Sequence, residues 1–172
     1  LSGLVGSEMC IRDSWNVNAN PVSARHAVAA ATGILTNLPK LLHNLDNLDL
    51  RYQIAEASLN AGLAFSNTKT AIAHNISYPI TLGWGVQHGV ACSFTLPTIL
   101  RSVVGLGGFR ETALKQIFGE DLEIGAKNLK LFLASVGVGY RFGDQGVPST
   151  ECKEIIDQAF IGERGKNFIG SK

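Results

Sequence analysis

Leu50-Arg51-Tyr52-Gln53-Ile54-Ala55-Glu56-Ala57-Ser58-Leu59-Asn60-Ala61-Gly62-Leu63-Ala64-Phe65 carries the clearest helical period in the chain. Leu50, Ile54, Ala57, Ala61 and Ala64 recur every three or four residues, which is one face of an α-helix. Leu59, Leu63 and Phe65 fill the other sides. That pattern predicts a helix that is apolar all round and buried by its neighbours.

The same period continues in both directions. Upstream, Val28, Ala31, Leu35 and Leu38 define a helical face, entered through Ser23 as N-cap or Pro21 as a first-turn residue. Pro39 predicts a kink or restart, with Asn37 capping a short Leu38–His43 piece. Leu45–Asp49 reads as a polar connection. Downstream, Ser66-Asn67-Thr68 predicts an interruption that caps a new helix through Ala71, Ile72, Ala73 and His74, ending by Pro79. Gly83 and Gly85 predict a flexible loop around Trp84. An apolar run from Val90 to Val103 bends at Pro97 and stops at Gly105, Gly107 and Gly108. Phe109–Phe118 reads as a short helix, and Ala126, Leu129, Leu133 and Val136 form a clear stripe. Tyr140–Pro148 is a glycine-rich loop. Ser149 caps a last helix carrying Cys152, Ile155, Ile156, Ala159 and Phe160 on one side. No run alternates with period two. The expected fold is all-α, a multi-helix bundle.

Composition bounds the function. The 172 residues suit one domain or part of a larger enzyme, and 45% hydrophobic with 17% charged residues excludes a disordered chain. A net charge of +1 gives no nucleic-acid tract, and no apolar run reaches the length of a membrane span. Three cysteines are too few for a disulfide scaffold. The chain opens on Leu1, and Leu1–Asp13 resembles translated sequencing-adaptor DNA. Residues 1–13 are therefore read as foreign, Cys10 is given no chemistry, and 14–172 is read as the helical domain.

Of the four histidines, His26 and His43 read as solvent-facing helix side chains. His74 lies late in an apolar helix, and His88 follows a glycine-rich loop and precedes Gly89. Two imidazoles brought together by a tight loop are good ligands for zinc, iron or nickel. Spacing alone leaves open whether they meet or are unrelated core and surface groups. Cys92, four residues after His88, reads as a small buried thiol rather than a ligand. Trp84 either walls a site or packs. Gly105-Leu106-Gly107-Gly108 follows a helix and is no phosphate loop, and Arg110 reads as solvated.

His74-Asn-Ile-Ser-Tyr78-Pro-Ile-Thr-Leu-Gly-Trp-Gly-Val-Gln-His88-Gly89-Val-Ala-Cys-Ser, with Ala61–Asn67 and Asn20-Pro21-Val22-Ser23, resembles the iron-containing alcohol dehydrogenases. The resemblance runs from about Trp15 to the end. It implies the C-terminal helical half of a two-domain enzyme, the missing N-terminal half carrying NAD(P)H. It further implies one divalent metal, Fe2+ or Zn2+, held by an aspartate and three histidines. His74 and His88 fall on two of these metal ligands. The other two positions land near Gly6 and Cys10, where neither residue type fits. Tyr78 stands where many members carry a further histidine near the substrate. It becomes the catalytic candidate, relaying a proton or hydrogen bonding, with packing at the loop entrance as the other reading. Ser77-Tyr78-Pro79 and Ala91–Pro97 most resemble the branch that includes phosphonoacetaldehyde reductases (hydroxyethylphosphonate dehydrogenases).

The resulting expectation is a fragment of a metal- and NAD(P)-dependent alcohol dehydrogenase or aldehyde reductase, inactive by itself. Its substrate is a small alcohol or aldehyde such as phosphonoacetaldehyde. It is expected in the cytoplasm as a homo-oligomer, without nucleic-acid or membrane partners. The alternative is a non-catalytic helical interaction domain with structural histidines.

Overall fold

Asn20 starts the first helix. Its side chain accepts from the Val22 and Ser23 backbone N–H groups, while the Ser23 hydroxyl accepts from the Asn20 N–H, a reciprocal capping box. Pro21 takes the first turn as expected, but the cap is Asn20 and not Ser23. The computed structural model describes residues 15–170; the segment read as foreign, with Gly6 and Cys10, lies outside them.

The helices are α1 (Pro21–His43), α2 (Leu48–Asn67), α3 (Ile72–Trp84), α4 (His88–Ser93), α5 (Leu96–Ser102), α6 (Gly108–Phe118), α7 (Leu122–Ser135) and α8 (Ser149–Ile161). Short 3-10 turns at Gly143–Gln145 and Gly165–Asn167 complete the order. Among the described residues the only β pairing is an isolated bridge, Asn16 to Phe168. The all-α expectation holds. No described helix is long and apolar enough to cross a membrane.

α1 and α2 pack as an antiparallel hairpin, α6 crosses onto α1, α7 rests on α5 and α6, and α8 lies along α3. Ile34, Ile72, Ile80, Leu96, Leu100, Leu114 and Leu133 are fully buried at the centre. Each such side chain contributes about 1.5–3 kcal/mol through its removal from water.

Ser149 and residues 66–68 do not cap their helices, which start after Pro148 and Ala71. Three more local expectations fail, two of them at prolines. α1 runs unbroken through Pro39, and α3 runs unbroken through Pro79. A helix-interior proline loses one backbone bond and costs roughly 3 kcal/mol. Burial beside each proline offsets it, by Asn37 and Leu38 just before Pro39 in α1 and by Ser77 and Ile80 around Pro79 in α3. The third is α2. Its Ala57, Ala61 and Ala64 are buried, yet Tyr52, Leu59 and Leu63 face outward. The hairpin covers one face of α2, not all of it.

Candidate metal centre

α3 positions the chemistry. His74 and Tyr78, four residues apart and both before Pro79, share one face, a turn apart. Gly85 ends α3 in the left-handed region, at φ 66°, where a glycine carries no penalty. Three residues later α4 begins with His88 itself. The predicted flexible loop is thus a tight turn, and it returns the first residue of α4 to the side of α3 that bears His74.

The two imidazoles meet. His88 Nε2 lies 3.2 Å from His74 Nε2, with the rings nearly perpendicular at 85° and their centroids 4.8 Å apart. His74 is buried and His88 half-buried. The Tyr78 ring stands 5.9 Å from His74 and 5.7 Å from His88, at the exposed edge of the pair.

Two neighbours orient the pair. Ser77, fully buried, donates its hydroxyl to the His74 carbonyl at 2.8 Å, and its oxygen faces His88 Nδ1 at 3.5 Å. A partner at Nδ1 favours the tautomer whose Nε2 lone pair is available to a cation. Cys92 Sγ, fully buried, lies 3.5 Å from His74 Nδ1 and 3.6 Å from His88 Nε2. Asn75 Nδ2 donates to the Ala159 carbonyl at 2.6 Å and ties this part of α3 to α8. Beyond α8, Arg164 places its guanidinium 4.9 Å over the Tyr78 ring and donates to Thr70 Oγ1 at 2.9 Å.

Other candidates go elsewhere. His26 pairs through Nδ1 with Asn60 Oδ1 at 2.9 Å across the hairpin, and His43 is exposed. Arg110 is not a solvated side chain. It donates to the carbonyls of Asn16, Val17 and Ala19 at 3.1, 3.0 and 3.3 Å and so holds the segment before α1. Trp84 packs against the core. At the Gly105–Gly108 loop the Gly107 N–H donates to Glu111. That bond, with Lys115 beside it, holds the Glu111 carboxyl below its ordinary value. The loop therefore serves its own helix rather than a phosphate. An apolar cavity of about 420 Å³, lined by Ile76, Phe94, Tyr140, Phe142 and Phe160, includes neither imidazole.

Comparison with known proteins gives the family and the fold. Residues 10–168 match the C-terminal model of the Fe-containing alcohol dehydrogenase family. The chain belongs to that family. Similar curated members include long-chain-alcohol dehydrogenase 1 of Geobacillus thermodenitrificans, 28% identical over 159 residues. The match takes in 84% of this chain and 39% of that protein. The phosphonoacetaldehyde reductase of Streptomyces viridochromogenes is 33% identical over 88 residues, 51% of this chain and 22% of that protein. The sulfoacetaldehyde reductase of Bifidobacterium kashiwanohense, solved with NAD+, superposes with a TM-score of 0.88 at 24% identity. That superposition covers 97% of this chain and 44% of the reductase, and it shows the shared fold. The chain thus spans at most about two fifths of the length of these curated relatives.

The donor chemistry fits a divalent metal: two imidazoles converge, and a buried hydroxyl faces one of them. Ser77 entered the sequence reading only as part of a resembling string, with no role, and Arg164 did not enter it. The contact of Ser77 with His88 exists only because the turn after α3 brings α4 back beside it. Arg164 is 86 residues from Tyr78 in sequence.

Proposed function

We propose that this domain is the metal-bearing half of an NAD(P)-dependent alcohol dehydrogenase or aldehyde reductase, with His74 and His88 as metal ligands. The single observation that carries the reading is the 3.2 Å approach of the two Nε2 atoms. Structural histidines in an interaction domain have no need to face one another, so the alternative reading explains less. His74 and His88 would hold iron or zinc, which would supply a Lewis acid for a substrate oxygen, and a nicotinamide would supply the hydride chemistry.

The chain's own residues do the rest. His74 is fixed by burial in α3, and Ser77 sets the ring of His88. Tyr78, at the exposed edge, presents a phenol beside both imidazoles and is positioned to hydrogen bond to a substrate oxygen or relay its proton. Arg164 gives that edge a positive charge. This favours a small aldehyde bearing an anionic group, the class named for the phosphonoacetaldehyde and sulfoacetaldehyde reductases it resembles.

The test is His88→Ala in the full-length protein. Bound metal and turnover are both expected to vanish. Metal retained at wild-type stoichiometry overturns the reading. In the same protein, Arg164→Ala is expected to raise KM for an anionic aldehyde about tenfold and leave KM for a neutral aldehyde unchanged.

A further inference from the structure

His74 and Ser77 stand three residues apart on α3, and His88 and Cys92 stand four apart on α4. Each helix therefore carries one imidazole and, a turn later, one small side chain on the same face. The turn between the helices sets these pairs crosswise. Ser77 Oγ of α3 faces His88 Nδ1 at 3.5 Å, and Cys92 Sγ of α4 faces His74 Nδ1 at 3.5 Å. Ser77 and Cys92 are both fully buried.

The sulfur distances tell which ring it serves. Cys92 Sγ stands 3.6 Å from Nε2 and 3.9 Å from Nδ1 of His88, so it lines up with neither nitrogen of that ring. On His74 it meets Nδ1, while His74 Nε2 is the atom 3.2 Å from His88 Nε2. A neutral imidazole has one donor and one acceptor nitrogen, and a partner at one fixes the role of the other. Sulfur that accepts from Nδ1–H leaves the Nε2 lone pair of His74 facing His88 Nε2. A thiol that merely packs as a small hydrophobe needs no such alignment.

We infer that Cys92 is a positioning residue: its sulfur accepts a hydrogen bond from His74 Nδ1–H and holds the Nε2 lone pair of His74 toward the cation site. It is not itself a ligand. The inference rests on the proposed function, which makes His74 and His88 the ligands. Ser77 does the same for His88 from the opposite helix. Its hydroxyl donates to the His74 carbonyl, so its oxygen is left to accept from His88 Nδ1–H. Each helix thus orients the ligand that the other one carries.

The experiment uses the full-length protein with 15N-labelled histidine, loaded with Zn2+ so that ring N–H protons can be followed by NMR. The His74 Nδ1 proton is expected as a resolved signal that exchanges slowly with solvent. C92A should speed that exchange at least tenfold, leave the His88 Nδ1 proton unchanged, and weaken Co2+ binding about tenfold, with the helical circular dichroism retained. C92S keeps an acceptor and should bind Co2+ within about threefold of the unaltered protein. S77A should do the reverse of C92A and touch the His88 proton alone. An unchanged His74 proton in C92A, or C92S as weak as C92A, overturns the inference and leaves the histidine reading standing. So does X-ray absorption that shows sulfur bound to zinc at about 2.3 Å. A His74 proton already in fast exchange in the unaltered protein overturns it as well, and that measurement needs no Cys92 variant. No zinc bound at all overturns both readings.

Discussion

The α1–α2 hairpin and the α3–α4 corner are built from opposite materials. In the hairpin, Ala27, Ala30, Ala31, Ala57, Ala61 and Ala64 are all buried, and a Cβ added at Gly33 would stand 3.0 Å from Ala57 Cβ. Small side chains let the helices approach closely, and the interface is almost wholly apolar. In the corner, His74, Ser77 and Cys92 are buried beside half-buried His88, and each finds polar neighbours. One region stores stability and the other stores chemistry. The corner tolerates buried polar groups because they satisfy one another, and because Ile72, Ile76, Ile80 and Phe94 pack around it.

If that division is right, substitutions in the hairpin should move stability and leave metal affinity alone. Ile34→Ala removes a fully buried side chain where α1 meets the core and should lower unfolding free energy by about 2–5 kcal/mol in urea titration. Loss of cobalt binding by the still-folded variant would break the separation between the regions. Gly33→Val forces branched methyls against Ala57 and should cost about 1–3 kcal/mol. A neutral result would mean that the helices can slide apart.

The reciprocal change is Ser77→Ala. It removes the hydroxyl facing His88 Nδ1 and should weaken Co2+ about tenfold, with a change in melting temperature too small to explain it. A fall in stability without a fall in affinity would make Ser77 a packing residue. The smallest effect belongs to Leu59→Ser on the outward face of α2. It should change unfolding free energy by less than about 0.5 kcal/mol. A larger loss would show that this face is covered in solution.

Legibility in the sequence followed the same divide. Ala57, Ala61 and Ala64 announced the buried face of α2 through their spacing, and Ala126, Leu129 and Leu133 did so for α7. The exposed side of α2 misled, because Leu59 and Leu63 have the composition of a core without its surroundings. Pro39 and Pro79 misled for a related reason: local propensity argues for a break, and only packing beside each proline decides against one. Arg110 looked like a surface charge because the carbonyls it serves are more than 90 residues away.

Periodicity and a His-Gly motif are properties of neighbouring residues, and they were enough for an all-helical domain, its family, and His74 and His88 as the pair to watch. That α3 continues past Pro79, that the imidazoles meet at 3.2 Å, and that Cys92 and Ser77 stand beside them came from the packing of helices. The physical reason is that a donor set is a matter of distances between side chains on separate helices. A sequence pattern fixes faces, whereas the turn at Gly85 and the burial around it fix which faces come together.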